Sequence, residues 1–438
     1  MRDRNIKWLL EELPKWVAKD VVNEETAARI QSYYDETEEK NGLRMALAIF
    51  GTIGTVLIGS GIILLFAKNW ESFSLSVRTV LSLLPLILAQ LLTGWVIYKE
   101  KDSPAWREGT AVFLFLTIGA SISLIGQTYH IPGNAPQFIL TWMLLALPAI
   151  YLLEATVPAI AYIFGIVAWA GATRGEGEYT FFYWLLLALI SGYLFKMFKT
   201  SPNSNRSSFL LWALTLSLCI SFGIVMEQAL PGLWIIVYSC YFTILFLLGW
   251  MNWGQGELRW KKSVLIIGAM GSLILSIILS YKGVWKEIGW KYYANGFNHN
   301  WANAVQDYIL VTFLLICLSY LHYKFFKQKN TLGLIFSALP VIAILGYLLA
   351  SFIGPGISDL LFDAYLLIIG IFIVVRGLKN YSLALTNAGM LILAFLIVLR
   401  FFDSDLGFLE KGIAFILVGS GFLLANYRLV RRQKGVGQ

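Results

Sequence analysis

The sequence has few charged residues and few cysteines. Asp, Glu, Lys and Arg make up 14% of its 438 residues, whereas a soluble globular domain carries roughly 25%. A chain so poor in charge cannot cover a water-facing surface of its own size, which excludes a soluble globular protein. The three cysteines lie within apolar stretches and show neither paired nor metal-ligand spacing, so neither a disulfide framework nor a zinc site is indicated.

The sequence also lacks the short motifs of common enzyme classes. It contains no phosphate-binding Gly-x-x-x-x-Gly-Lys loop, no His-Glu-x-x-His pair and no Gly-x-Ser-x-Gly elbow. Of its three histidines, the topology argued below places His130 and His299 on one side of a membrane and His322 on the other. An all-histidine metal site is therefore excluded. We predict no catalytic residue, no cofactor and no metal ion, and we favour a non-enzymatic role.

Long apolar stretches dominate the remainder of the chain, which is 58% hydrophobic. A hydrocarbon core about 30 Å thick requires roughly 20 apolar residues per helix. Fourteen stretches meet this requirement, at 45–67, 77–98, 108–129, 134–153, 156–173, 179–198, 207–228, 231–250, 263–281, 305–325, 331–352, 357–375, 382–401 and 409–427. We predict an all-α, polytopic integral membrane bundle of about 14 transmembrane helices. The fourth and fifth stretches meet at Glu154 and Ala155, so these two can alternatively form one re-entrant pair.

The basic residues are distributed unevenly between the two sets of loops. If the N-terminus is cytoplasmic, 26 of the 34 Lys and Arg residues fall on the cytoplasmic side and 8 on the other side or in span ends facing it. This bias predicts that both termini are cytoplasmic, because Lys and Arg are retained on that side during insertion. The net charge of +8 is thus explained by topology, and we predict no nucleic-acid partner.

The polar N-terminal segment predicts the one soluble module. Residues 1–42 contain apolar positions at helical spacing, and Asn23 is placed to cap a second helix. We divide the chain into this cytoplasmic helical hairpin, a transmembrane domain at 43–430 and a basic cytoplasmic tail at 431–438. The hairpin either packs on the protein's own cytoplasmic loops or on the membrane surface, or it binds a protein partner.

Ionisable residues in or beside spans are the first candidates for function, since their burial in lipid is costly. They gather at span ends that the topology places outside. Asp359 and Asp363 share a helix face, and Arg400 can pair with Asp363 or Asp403 as a structural ion pair or as a gate. The alternative is that each carboxylate is merely solvated. The candidates for binding a substrate or proton here are Glu227, Asp307, Asp359, Asp363, Arg400 and Asp403.

A second candidate cluster, Gln127, Tyr129 and His130, lies at the outer end of the third span, before a turn signal at Pro132. These side chains either form hydrogen bonds within the bundle or lie passively at the interface. Glu154 is the most isolated carboxylate on the inward side.

Two further patterns predict packing and interfacial roles. The outward segment 282–304 is rich in aromatic residues, among them Trp285 and Tyr292 with Ile288 on the same face, and is interpreted as an interfacial belt. Small residues at close spacing predict tight helix contacts in the first and last spans, at Gly51, Thr55, Gly59, Gly412, Gly419 and Gly421.

The chain resembles the prokaryotic membrane family of domain of unknown function 2157. The likeness rests on Trp16-Val-Ala-Lys-Asp-Val-Val-Asn-Glu-Glu-Thr-Ala-Ala-Arg-Ile30, Ala67-Lys-Asn-Trp70, Gly126-Gln-Thr-Tyr129 and Arg400-Phe-Phe-Asp403. The resemblance implies a multi-pass protein of a prokaryotic cell (inner) membrane and supplies no catalytic residue.

The features above favour a transporter or flippase-like protein for a small polar or lipid-linked substrate, with the lipid bilayer as its environment. A membrane-embedded enzyme acting on a lipid and a structural or regulatory scaffold remain the alternatives.

Overall fold

The structure is a computed structural model. It describes residues 12–19, 21–32, 70–99, 103–177, 180–202, 204–226, 232–251, 263–288, 301–327, 331–380 and 382–403, together with positions 9, 409, 412, 413, 416, 419–421 and 423. Nearly all of the secondary structure in these residues is α-helical, with short 3-10 turns. Packing divides the chain into two units, Met1–Leu81 and Ser82–Gln438.

The first unit contains two short helices, α1 (12–18) and α2 (24–32), a 3-10 turn at Trp70–Ser72 and the beginning of α3 (Leu75–Tyr98). The Oδ1 atom of Asn23 accepts a hydrogen bond from the backbone N–H of Thr26 at 2.9 Å, as an N-cap residue does. The predicted start of the second helix is therefore present. Leu13 and Ala27 are buried.

Twelve further helices follow in the second unit. They are α4 (Pro104–Thr128), α5 (Ala135–Leu153), α6 (Thr156–Gly175), α7 (Phe182–Thr200), α8 (Asn205–Val225), α9 (Leu233–Trp250), α10 (Ser263–Leu279), α11 (Trp301–Lys327), α12 (Thr331–Ser337), α13 (Leu339–Phe352), α14 (Pro355–Lys379) and α15 (Leu383–Asp403).

The apolar stretches correspond closely to these helices. Within the described residues, 11 helical segments are long and apolar enough to cross a membrane, and Ser263–Leu279 is a shorter apolar helix of 17 residues. The predicted spans at 45–67 and 409–427 fall outside the described residues wholly or for the most part. The chain is thus a multi-pass, all-helical membrane protein.

The junction between α5 and α6 decides how the fourth and fifth stretches are arranged. Glu154 adopts a left-handed conformation with φ of 50° and ends α5, and α6 begins two residues later. The two helices contain 19 and 20 residues and pack against each other. At 1.5 Å per residue each is about 28–30 Å long, so each can cross a bilayer and neither needs to be re-entrant.

The predicted span at 331–352 is broken into α12 and α13 at Ala338. Pro340 cannot donate a backbone hydrogen bond to the carbonyl one turn earlier, which is that of Phe336. The hydroxyl of Tyr365 lies 3.2 Å from this carbonyl oxygen, and Nε2 of His322 lies 2.9 Å from that of Ser337. Two side chains from neighbouring helices thus bind backbone oxygens at the break.

The apolar core comprises two large clusters of buried side chains. One is built on α3 to α8, and the other on α8 to α14.

Glycines allow two helix pairs to approach closely. A Cβ atom at Gly249 of α9 would lie 2.5 Å from the backbone nitrogen of Leu265 on α10. A Cβ atom at Gly389 of α15 would lie 2.7 Å from the backbone nitrogen of Val374 on α14. No described atom lies within 4 Å of a Cβ at Gly412, Gly419 or Gly421, and Gly51, Thr55 and Gly59 are outside the described residues.

The interpretation of Trp285 as part of an interfacial belt is wrong. Its side chain is 1% exposed, and its indole N–H donates to the carbonyl of Leu279 at 2.7 Å. The ring packs against Phe362 with centroids 5.6 Å apart. Ile288 is buried too. The chain turns back into the bundle here because the 3-10 turn Lys282–Glu287 follows α10 at once. Tyr292 lies outside the described residues.

Candidate functional site

Three of the predicted site residues meet at the end of α10, the beginning of α14 and the end of α15. Asp359 and Asp363 lie one turn apart on α14, and Arg400 lies in the last turn of α15. Nη2 of Arg400 is 2.6 Å from Oδ2 of Asp363 and 4.0 Å from Oδ2 of Asp359. It also donates to the carbonyl oxygen of Ser280, just beyond α10. The predicted ion pair is therefore formed with Asp363.

This charged cluster is mostly buried. Asp359 is 5% exposed, and the side chain of Arg400 is 27% exposed. Removing charges from water is costly unless they are paired, and removing one partner leaves the other uncompensated. Arg400 therefore holds three helix ends together through two carboxylates and one carbonyl. These contacts link α14 and α15 to the end of α10.

The other predicted acidic residues lie elsewhere. Asp307 is 1% exposed and lies near the beginning of α11, a helix that packs against α9 and α12. The backbone of Asp403 ends α15, but its side chain is outside the described part of the chain, as is the whole of Glu227. Solvation at an outer helix end therefore does not account for Asp307 or Asp359, which are both buried.

The second predicted cluster borders a groove between α3, α4 and α5. Gln127, Tyr129 and His130 are exposed, and His130 has a left-handed backbone with φ of 49°. The groove is instead lined by their neighbours, Gly126 on one side and 131–134 on the other. The groove thus lies beside the predicted cluster, and the three predicted side chains do not line it.

The groove has a volume of about 620 Å³ and a mixed lining. This volume lies within the range of small-molecule sites. Asn134 caps α5 by accepting from the N–H of Gln137 at 3.0 Å, and its side-chain amide donates to Glu176. The groove's polar side chains are those of Gln90, Ser121, Ser123, Asn134, Gln137 and Thr141, and its apolar ones include Leu83, Leu86, Ile118, Phe138 and Leu145.

The groove follows α5 from its beginning to about its middle. Asn134 and Leu145 are eleven residues apart, which corresponds to about 16 Å along a helix. This length is about half of the 30 Å hydrocarbon core. Leu83 and Leu145 line the groove and are exposed, so the described residues leave the groove open at the side of the bundle. Its length along α5 is thus comparable to the thickness of the hydrocarbon in one leaflet.

A second charged network joins helix ends at the opposite end of α5. The carboxylate of Glu108 on α4 accepts hydrogen bonds from the backbone N–H groups of Thr156 and Val157, at 2.8 and 3.1 Å. These are the first amides of α6, which have no partner within their own helix. Arg206 on α8 lies 3.7 Å from the same carboxylate. Glu108 therefore caps α6 from another helix.

The prediction that Glu154 is isolated is wrong. Its Oε1 atom lies 2.6 Å from Nζ of Lys196 at the end of α7. The hydrogen bond from Lys196 lowers the pKa of Glu154, and the charges of Lys196, Arg107 and Arg206 act in the same direction against the effect of burial. The partner is 42 residues away, so local sequence gives no sign of it.

The pairing of Glu154 gives a pH prediction. Because its pKa is depressed on folding, its contribution to stability is present above the unfolded value of about 4.5 and is lost as pH falls through the folded pKa. We expect Glu154→Gln to lower the melting temperature slightly at pH 7 and to have no effect at a pH below the folded pKa. Thermal unfolding of the wild-type protein and of Glu154→Gln over this pH range measures the difference in melting temperature. A difference that is independent of pH contradicts the role assigned to this pair.

The end of α8 is held by side chains that sequence reasoning did not select. Arg174 donates to the carbonyl oxygens of Ile224 and Met226 at 3.0 and 2.9 Å. Thr180 and Gln306 both donate to that of Val225, at 3.2 and 2.7 Å. Cations and donors at this position offset the negative end of a helix dipole. The only available sequence signal was a basic residue at the end of an apolar stretch.

Metal ligation is not a feature of the described residues. No group of three or more His, Cys, Asp or Glu side chains among them is arranged to hold a metal ion. Cys219, Cys240 and Cys317 are all free thiols.

Comparison with known proteins agrees with a membrane location. Residues 14–159 match the family of domain of unknown function 2157, which is described as a predicted membrane protein. The resemblance is therefore confirmed over those residues, which include every residue that lines the groove; Arg400 lies beyond them. No curated protein and no solved structure matches the chain.

Proposed function

We propose that this protein is a flippase-like transporter that takes an amphipathic molecule from one leaflet of the membrane. The groove between α3, α4 and α5 carries the proposal. It is polar where α5 begins, apolar along its walls, and accessible from the lipid side. A lipid headgroup and its chain require this combination, because the headgroup needs hydrogen bonds and the chain needs an apolar surface.

The position of Gln90 supports movement in addition to binding. This residue is the sixteenth of the 24 residues of α3 and lines the groove far from the helix ends. An uncompensated polar group at this depth in lipid is unfavourable. A side-chain amide here offers a headgroup a hydrogen-bonding partner on its way across the hydrophobic core.

The orientation and location form part of the same proposal. We infer 14 spans with both termini in the cytoplasm of a prokaryotic cell, because of the distribution of basic residues and the resemblance described above. In this topology, helix ends that touch lie on the same side of the membrane, which supports it. Arg400 joins the ends of α10 and α15 to the beginning of α14, and Glu108 joins the beginnings of α4 and α6. The groove then opens to the outer leaflet.

The alternatives have less support from the geometry. An enzyme that uses the outward carboxylates as acid and base needs them accessible to a substrate, whereas Asp359 and Asp363 lie against Arg400. A scaffold that binds a protein through residues 1–42 receives no support from the groove, because none of those residues lines it.

Reconstitution tests the proposal. Two fluorescent lipid analogues are tested in vesicles, one with a charged and one with an uncharged headgroup. Wild-type protein is expected to make at least one of them exchange between the outer and the inner leaflet, as measured by chemical quenching from outside. We expect the double change Gln90→Leu and Thr141→Val to slow this exchange by on the order of tenfold, since it removes two hydrogen-bonding groups from the path. The assay is run with and without a pH gradient to reveal coupling.

A matched control uses threonines outside the groove. Thr79 and Thr200 donate to the carbonyl one turn earlier at 2.9 and 2.8 Å, as Thr141 does at 2.8 Å. Thr79→Val with Thr200→Val is expected to retain the wild-type rate. If wild-type vesicles exchange lipids no faster than protein-free vesicles under either condition, the proposed function is wrong.

A further inference from the structure

We propose that the groove selects lipids whose headgroup is uncharged and rich in hydroxyl groups, as in a glycosylated diacylglycerol. The inference rests on the proposed function, because it names the substrate class of the same groove. It is carried by the chemistry of the lining, by the unused hydrogen-bonding groups within it, and by its depth.

The groove offers hydrogen bonds but no charge. Its polar side chains are amides and hydroxyls, and among the described residues that line it none is Asp, Glu, Lys, Arg or His. A phosphate headgroup in a low-dielectric groove is bound most strongly by the charged side chains of Arg and Lys, and none of the described residues that line this groove is either of these. An anionic lipid would therefore lose its hydration here without compensation.

Two side-chain amides in the groove are available to a ligand. Those of Gln90 and Gln137 make no hydrogen bond with any other described residue of the protein, while both residues line the groove. An amide presents donors and an acceptor together. A sugar hydroxyl also donates and accepts, so it can satisfy both sides of such a group, which a carboxylate or phosphate cannot.

The two amides lie at different depths. Gln137 is in the first turn of α5, next to the loop at 131–134, whereas Gln90 lies well inside α3. The apolar side chains Leu86 and Leu145 also line the groove. The positions of these side chains place a bound headgroup beside Gln137 and its acyl chain along the apolar wall. Gln90 is then available to the headgroup when it moves further into the membrane.

The test uses full-length protein in nanodiscs of phosphatidylethanolamine. The nanodiscs contain either glucosyl-diacylglycerol or phosphatidylglycerol with the same acyl chains, and native mass spectrometry measures the lipid retained by the protein. We expect wild type to retain the glucolipid in preference to phosphatidylglycerol. Gln137→Leu is expected to reduce that retention about fivefold, the equivalent of one hydrogen bond.

A charge change provides a gain-of-function arm. Gln137→Lys places a cation in the groove and is expected to reverse the preference toward phosphatidylglycerol. Gln127→Lys adds the same charge ten residues earlier, to an exposed side chain that does not line the groove, and is expected to leave the preference unchanged. Reversal by both variants, or by neither, overturns the assignment of the headgroup site.

The remaining outcomes are equally decisive. Equal retention of the two lipids by wild type, or preferential retention of phosphatidylglycerol, overturns the proposal. So does efficient cross-linking of Leu145→Cys to a cysteine introduced within residues 45–67, because that segment then occupies the groove. If vesicles exchange lipids but show no preference for the glucolipid, only the substrate class is wrong. If the glucolipid is retained but not moved, only transport is wrong.

Discussion

Replacing Arg400 with methionine is expected to destabilise the protein by about 3 kcal/mol. The change leaves Asp359 and Asp363 next to each other in a mostly buried site without their guanidinium, and breaking a buried pair from one side typically costs 3–5 kcal/mol. It also removes a donor from the carbonyl of Ser280. Unfolding of purified protein in mixed micelles, followed by circular dichroism, measures the effect.

Two variants separate the ion pair from general damage. Arg376→Met changes an arginine in the last turn of α14, for which the structure shows no ion pair within its described part, and is expected to cost less than about 1 kcal/mol. The triple variant Arg400→Met, Asp359→Asn and Asp363→Asn removes all three charges and should recover much of the lost stability. A triple variant as unstable as the single one contradicts the role assigned to the cluster.

The helices were predictable because a bilayer permits few structures. Backbone groups cannot remain unpaired in hydrocarbon, so an apolar stretch such as 205–225 has essentially one available conformation. The break at Ala338 was not predicted, although Pro340 is visible in the sequence. Whether a proline breaks a helix depends on the partners of the freed carbonyls, and these are His322 and Tyr365 on other helices.

The candidate site was predictable where its signal is local. Asp359 and Asp363 are four residues apart, and Arg400 is an arginine in a span end, so each needs a partner for a reason that the sequence shows. The pairing of Glu154 with Lys196 depends on which helices become neighbours, and so does the burial of Trp285. The groove is the space left between α3, α4 and α5. Its lining therefore follows from packing and not from the motif beside it.

The packing of α14 against α15 leads to the second large effect, at Gly389. A methyl group added here would lie 2.7 Å from the backbone nitrogen of Val374 and 2.9 Å from the carbonyl oxygen of Gly370. Backbone atoms cannot rotate away as a side chain can, so the two helices must separate. Because small residues at such contacts permit the close packing that drives helix association in lipid, Gly389→Ala is expected to destabilise the protein by about 1–3 kcal/mol.

Gly94 on α3 is the control for Gly389, and its replacement by alanine is expected to leave stability unchanged or to raise it. No described atom lies within 4 Å of a Cβ atom at Gly94, which is exposed, so Gly94→Ala is expected to add no clash and to raise helix propensity by up to about 1 kcal/mol. Unfolding in mixed micelles should rank Gly94→Ala at or above wild type and Gly389→Ala well below it. Equal stability of the two variants means that the close approach of α14 and α15 is not what the glycine permits. A loss at Gly389 alone ties this helix pair, and the end of α15 that carries Arg400, to the stability of the whole bundle.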